Sequence, residues 1–188
     1  MPKYAFKVTL NLLDLDARFA YVIKDATLTD IFEAKRITDR IQEQYHEERI
    51  MLTINEYRHG DEVEEVADLY ELENELNSRI KSMQRHNQEV LDKLNVLSDL
   101  LDKAIGSHHF DASYQKVSLT LAKLDQYFYF DITVDDFSDF KITLTTEAGA
   151  QSSIIRRTAD EVLAEIVNVQ DILTNIEKLA NKTEFDLL

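Results

Sequence analysis

At 188 residues, 44 % hydrophobic and 30 % charged, the chain can bury a substantial core and is too apolar for an intrinsically disordered one. A formal net charge of −15 and a pI near 4.7 disfavour broad binding to nucleic acid or anionic lipid, since both would be repelled. Zero cysteines exclude disulfides and thiolate metal sites and suit a cytoplasmic protein, and no apolar run approaches the roughly 18–20 residues of a membrane-spanning helix.

The first residues, Met1 to Lys7, lack the apolar block of a secretory signal. Phe6, Val8, Leu10 and Leu12 alternate with polar residues, and Phe19, Tyr21 and Ile23 repeat the pattern after an Asp14-Leu-Asp-Ala17 turn. This period of two predicts a β-hairpin over about residues 3–24.

At Thr27-Leu-Thr-Asp30 the period changes. A cap there, followed by Ala34, Ile37, Ile41 and Tyr45, predicts a helix, drawn through to Arg58-His59 although Ile50-Met-Leu-Thr-Ile54 interrupts the pattern. Gly60 is placed as its C-terminal cap, and Asp61 with Glu64 as the capping box of a second helix. The apolar stripe Leu69, Leu72, Leu76, Ile80, Met83, Val90, Leu94, Leu97, Leu101 and Ile105 then advances 3.6 residues per step, with Asn87 in its one gap. That period predicts a nearly straight helix of about 67 Å ending at Gly106. Turned at Gly60, the two helices would form an antiparallel hairpin.

Beyond Gly106 the alternation returns. Strands are predicted around Val117–Leu121 (also readable as helix over 114–124), Phe128–Val134 and Phe140–Leu144, the last two joined through Asp135-Asp-Phe-Ser-Asp139. Thr158 and Glu161 form a capping box, and Val162, Ile166, Val169, Leu173, Ile176 and Ala180 follow at 4-3-4-3-4 spacing, a three-heptad amphipathic helix. The expected fold is therefore α+β: an antiparallel sheet drawn from both chain ends (1–28 and 107–188), a coiled-coil-like helical hairpin arm (29–106), and a C-terminal amphipathic helix.

Candidate chemistry is sparse. Glu43/His46 and Glu56/His59 have the Glu-x-x-His spacing of di-iron bundles, but on one predicted helix they would lie about 20 Å apart. Glu64-Glu65-x-x-Asp68 and Glu89-x-x-Asp92 resemble the Mg²⁺-binding acidic motifs of all-helical nucleotide pyrophosphohydrolases, which place the two motifs on different helices. Here both fall on one stripe about 31 Å apart, and only a break near Asn87 would join them. His108-His109 follows a helix end, where imidazoles cap carbonyls. Asn87 is read either as a register-fixing polar residue or as an exposed one. No nucleophilic-serine context or phosphate-cradling glycine loop occurs, so no catalytic residue, metal or cofactor is assigned.

Residues 61–75 hold eight acids and no Lys or Arg. Those in the first helical turns suit the macrodipole, and Glu64, Asp68, Glu71 and Glu75 form a stripe at 4-3-4 spacing, with Arg49 expected opposite Glu71 and Arg79 within reach of Glu75. This stripe is the assigned partner-binding surface. The leading functional expectation is a non-catalytic binding module that self-associates or docks on a basic protein partner, as a possible homo-oligomer, binding neither nucleic acid nor membrane. The runner-up is a phage or mobile-element inhibitor that mimics nucleic acid and blocks another protein's basic site. That stripe alone carries a charge about every 5 Å, sparser than the 3.4 Å of one DNA strand, so a mimic would also enlist Asp131, Asp135, Asp136 and Asp139. A Mg²⁺-dependent nucleotide hydrolase is the third class.

Overall fold

The computed structural model describes residues 2–46 and 48–186. The chain is mixed α+β and divides into two compact units, one ending at His86 and the other beginning at Asn87.

In the first unit, β1 (Tyr4–Leu12) and β2 (Ala17–Ala26) form the expected hairpin. Helix α1 (Leu28–Gln44) opens on a full capping box: the Thr27 hydroxyl accepts from the Asp30 amide while the Asp30 carboxylate accepts from the Thr27 amide. The helix then stops. Residues Ile50–Glu56, expected to continue it, form β3, which pairs antiparallel along its whole length with β1 from Leu12↔Ile50 to Phe6↔Glu56. A run rich in β-branched residues has little to lose by leaving the helix, and the open edge of β1 offers it a full ladder. The two predicted helices are therefore not joined at Gly60. After β3 the chain forms the two-residue strand β4 (Glu64–Glu65), parallel to β2, giving the order β3-β1-β2-β4. Since β3 and β4 occupy opposite edges, segment 57–63 must cross the sheet. It crosses the face carrying Lys7, Thr9 and Val22, where Thr9 and Val22 are only 2 % and 1 % exposed.

Helix α2 (Leu69–Ala104) covers the opposite face with its first half: Leu72, Leu76, Ile80 and Met83 join Phe6, Val8, Leu10, Leu12, Ala34, Ile37 and Ile41 in one core. Its second half supplies Val90, Leu94, Leu97 and Leu101 to the core of the second unit. At its end Gly106 takes φ +92°, a conformation that L side chains rarely adopt, and its amide donates to the Leu101 carbonyl.

The second unit is a five-stranded antiparallel meander of β5 (His109–Asp111), β6 (Lys116–Lys123), β7 (Gln126–Val134), β8 (Phe140–Thr146) and β9 (Gln151–Arg156). Residues 116–123 are thus strand, settling the ambiguity over 114–124. Two sheets exist where one drawn from both chain ends was expected. Strand β9 escaped prediction because Gln151-Ser-Ser has no apolar alternation, as befits an edge strand. Helix α3 (Ala159–Asp186) begins at the anticipated Thr158/Glu161 cap and buries Val162 and Ile166 against the sheet. At the other end of the strands, Leu124 and Asp125 both take φ +56° in the β6–β7 turn, and Glu177 of α3 accepts the Leu124 amide at 2.9 Å.

An edge strand is exposed to pairing with other chains, and β3 is protected from α1. The Gln42 amide donates to the Ile50 carbonyl at 3.0 Å and accepts from the Leu52 amide at 3.1 Å, standing in for a neighbouring strand. Gln42→Ala should cost about 1–3 kcal/mol in urea denaturation and raise light scattering on prolonged incubation. Gln42→Glu, which keeps only the acceptor, should fall between it and the unmodified protein.

Candidate functional site

The acidic segment 61–75 is not one helix. Asp61 lies in the crossover, where its carboxylate binds the Lys7 ammonium at 2.7 Å and accepts the Arg58 amide at 3.0 Å. These two hydrogen bonds, Lys7 first, hold the Asp61 carboxyl below the usual carboxylate range. Glu64 and Glu65 form β4, and Glu65 pairs with Lys24 at 2.7 Å. The predicted Asp61/Glu64 capping box is therefore absent, and the helix starts seven residues later than expected, at Leu69 after Asp68.

There a second Asp-x-x-Glu performs the capping. Asp68 accepts the Glu71 amide at 2.8 Å, and the Glu71 carboxylate accepts the Ala67 amide at 2.6 Å. The same reach to the residue before the cap recurs at α3, where Glu161 accepts the Arg157 amide. Further along α2, Glu73 binds Arg40 of α1. Arg79 stacks over the Phe19 ring at 4.4 Å, donates to the Tyr21 hydroxyl at 3.3 Å and lies 3.7 Å from Glu64. Burial pushes the Tyr21 phenol up, and the Arg79 hydrogen bond partly offsets that. The Tyr21 hydrogen bond is the largest influence raising Arg79, to which Glu64 and then Glu75 add. Arg49, expected opposite Glu71, instead pairs with Asp14 at 3.1 Å.

The four stripe residues thus do different things. Asp68 and Glu71 cap a helix, while Glu64 and Glu75 surround Arg79. Of the eight acids only Glu62 engages neither a cation nor a backbone amide among the described residues. Sequence periodicity could not have found their partners Lys7, Lys24 and Arg40, which come from other elements.

The remaining constellations disperse. Glu43 is on α1 and His46 follows it, its Nδ1 3.1 Å from the Glu43 carbonyl oxygen, whereas Glu56 ends β3 and His59 lies in the crossover. Helix α2 is unbroken through Asn87, so the two acidic motifs are not folded together; Asn87 instead accepts from the Gln115 amide at 3.2 Å. Asp131 meets Ser118 and Lys116, and Asp135 accepts the Phe137 and Asp139 amides within its turn. The His108 side chain is almost wholly buried, with Nε2 2.6 Å from Ser98 Oγ of α2 and Nδ1 2.9 Å from the carbonyl oxygen of Gly106, two residues past the helix end, in place of the helix-terminal carbonyl expected for it. Among the described residues no group of three or more His, Asp or Glu is placed to hold a metal, and no helix is long and apolar enough to cross a membrane. Comparison with protein-family models, with curated proteins and with solved structures returns no match.

Two consequences are measurable. Asp68→Ala should lower stability by about 0.5–2 kcal/mol through loss of the cap, read by chemical denaturation; an unchanged midpoint would mean that the acid serves only intermolecular contact. A depressed Asp61 pKa means that its contribution is present above the ordinary value of 3.8 and is lost as pH falls through the folded value. Lys7→Met should therefore raise the Asp61 carboxyl in an NMR titration and flatten the loss of stability below pH 3.8.

Proposed function

We propose that the protein is a non-catalytic binding module that self-associates through the distal half of α3. The observation that carries this reading is a change of exposure along one apolar helix. Val162 and Ile166 are fully buried, while Ile172 and Ile176, one turn apart, are 50 % and 45 % exposed. Half-exposed isoleucines at i and i+4 share one helix face, and such a pair is what a helix offers to a second helix.

Docking on a basic protein partner through Glu64, Asp68, Glu71 and Glu75 is the second reading, favoured by the exposure of Glu64, Asp68 and Glu71 despite their internal contacts. Attraction of that kind weakens with salt, whereas apolar helix pairing does not. Sedimentation velocity between about 1 µM and about 1 mM, the range where association free energies are about −8 to −4 kcal/mol, should show a monomer–dimer equilibrium insensitive to salt. Ile172→Asp with Ile176→Asp should abolish the dimer without lowering the unfolding midpoint. A chain that stays monomeric throughout would eliminate self-association and leave the acidic surface as the reading to pursue.

A further inference from the structure

The turn that ends α2 brings together a serine and a histidine that no local pattern marks. Ser98 lies on α2, and His108 lies beyond Gly106, where the chain has turned back toward the helix. Its Nε2 is 2.6 Å from Ser98 Oγ, and the His108 side chain is only 6 % exposed, while Ser98 keeps part of its surface in solvent. A hydroxyl inside a helix ordinarily donates to the carbonyl four residues back, as Thr174 does to Gln170 on α3 at 2.8 Å. Ser98 makes no such bond. Among the described residues its hydroxyl has His108 alone as a hydrogen-bond partner.

The direction of that hydrogen bond follows from the other ring nitrogen. Nδ1 is 2.9 Å from the Gly106 carbonyl oxygen, which can only accept, so Nδ1 carries a hydrogen. In the neutral ring the free lone pair is then on Nε2, and it accepts the Ser98 hydroxyl proton. The Asp102 carboxylate is 3.5 Å from Nδ1, longer than a hydrogen bond but facing the charge that the ring acquires on taking a proton. A nucleophile, a base and a carboxylate behind the base therefore stand in the order that an acyl-accepting serine requires. One part of a hydrolase is missing. The amides of Ser98 and Asp99 lie inside α2, where each donates to the carbonyl four residues back, so they cannot serve as the paired donors that hold a tetrahedral oxyanion.

We infer that Ser98 is a covalent acceptor for acyl groups from activated, uncharged esters, with His108 as its general base, and that it is acylated once without turnover. In this step Oγ bonds to the ester carbonyl carbon while its proton passes to His108 Nε2. The bond from that carbon to the alcohol oxygen breaks, and the departing oxyanion keeps the electron pair and takes the proton from Nε2. A stabilised anion such as an aryloxide leaves without oxyanion donors. The serine alkoxide is a far poorer leaving group, so water does not clear the acyl group. Asp99 and Asp102 are both exposed within about one turn of Ser98, which disfavours an anionic donor. The site is within the second unit and independent of association through α3, and an acceptor acylated once is compatible with a module that catalyses nothing.

The test is reaction of the full chain with p-nitrophenyl acetate, and separately with acetyl phosphate as the anionic donor, followed by peptide mapping. A burst of about one equivalent of p-nitrophenolate per chain should appear without sustained release, the signature of an acyl-enzyme that accumulates. The acetyl group should map to Ser98, formed about 100-fold or more faster than on Ser82, an exposed serine of the same helix without a histidine beside it. Acetyl phosphate should react about tenfold or more slowly. His108→Gln should slow Ser98 acetylation by about 100-fold. Ser98→Ala, a helix-favouring change, should abolish the burst with the far-UV circular dichroism unchanged. The comparison of Ser98 with Ser82 uses the unaltered chain and holds even where a variant does not fold. Absence of a burst, or acetylation of Ser82 as fast as Ser98, would overturn the inference. So would an undiminished rate in His108→Gln with its circular dichroism intact. Sustained release of p-nitrophenolate that requires Ser98 would overturn acylation without turnover.

Discussion

Every turn of α2 from Leu72 to Leu101 except the one at Asn87 presents a large apolar side chain on one face, and each of them has to be taken out of water by some other element. Leu72, Leu76, Ile80, Met83, Leu94, Leu97 and Leu101 are all at most 1 % exposed, so the stripe is used in full. It serves two cores in succession, and the gap at Asn87 falls where the first gives way to the second. Each sheet needs one apolar face covered; α1 with the first half of α2 does this for one sheet, α3 with the second half for the other. A residue with a polar amide at the junction costs neither core a side chain, and Asn87 finds its own partner in Gln115.

The dense negative charge of residues 61–75 follows from the same architecture. A parallel edge strand, a helix start and a sheet-crossing segment are compressed into fifteen residues, and each uses acids locally. Asp68 satisfies a first-turn amide that the helix leaves without a partner, and Glu71 reaches back to the Ala67 amide just before the cap. Asp61, Glu65 and Glu73 reach cations on β1, β2 and α1, tying the segment to three different elements. The Lys24–Glu65 and Arg40–Glu73 pairs are largely exposed and individually weak, so their effect is to set where the chain goes more than how stable it is, whereas Lys7–Asp61 is mostly shielded from solvent. This accounts for most of the run without a partner. Glu62 is the exception, and it faces the cavity beneath the crossover.

Much of the architecture was legible in the residues. The β1–β2 hairpin, the α2 stripe with its end at Gly106, the β7–β8 hairpin and the capped start of α3 all follow from periods of 2 and 3.6 together with local capping chemistry, which depend only on near neighbours in sequence. The misreadings share a cause. Asp61-x-x-Glu64 and Asp68-x-x-Glu71 are the same motif seven residues apart, and either could open α2. What selects the second is the pairing of Glu64 and Glu65 with Tyr21 and Val22, some 43 residues away, which commits the first to strand. Likewise Ile50–Glu56 is compatible with helix or strand until β1 offers an open edge.

By itself the sequence therefore determined the type of most elements, the faces they bury, and the acidity that disfavours nucleic acid and membrane surfaces, because these depend on side-chain chemistry and short-range spacing. Only the tertiary structure decided that there are two sheets and two cores, that the acids of 61–75 are mostly matched from within the chain, and that Arg18 and Glu62 line one cavity. Those outcomes require residues far apart in sequence to meet, and the ladder hydrogen bonds and apolar burial that bring them together leave no local periodic signature.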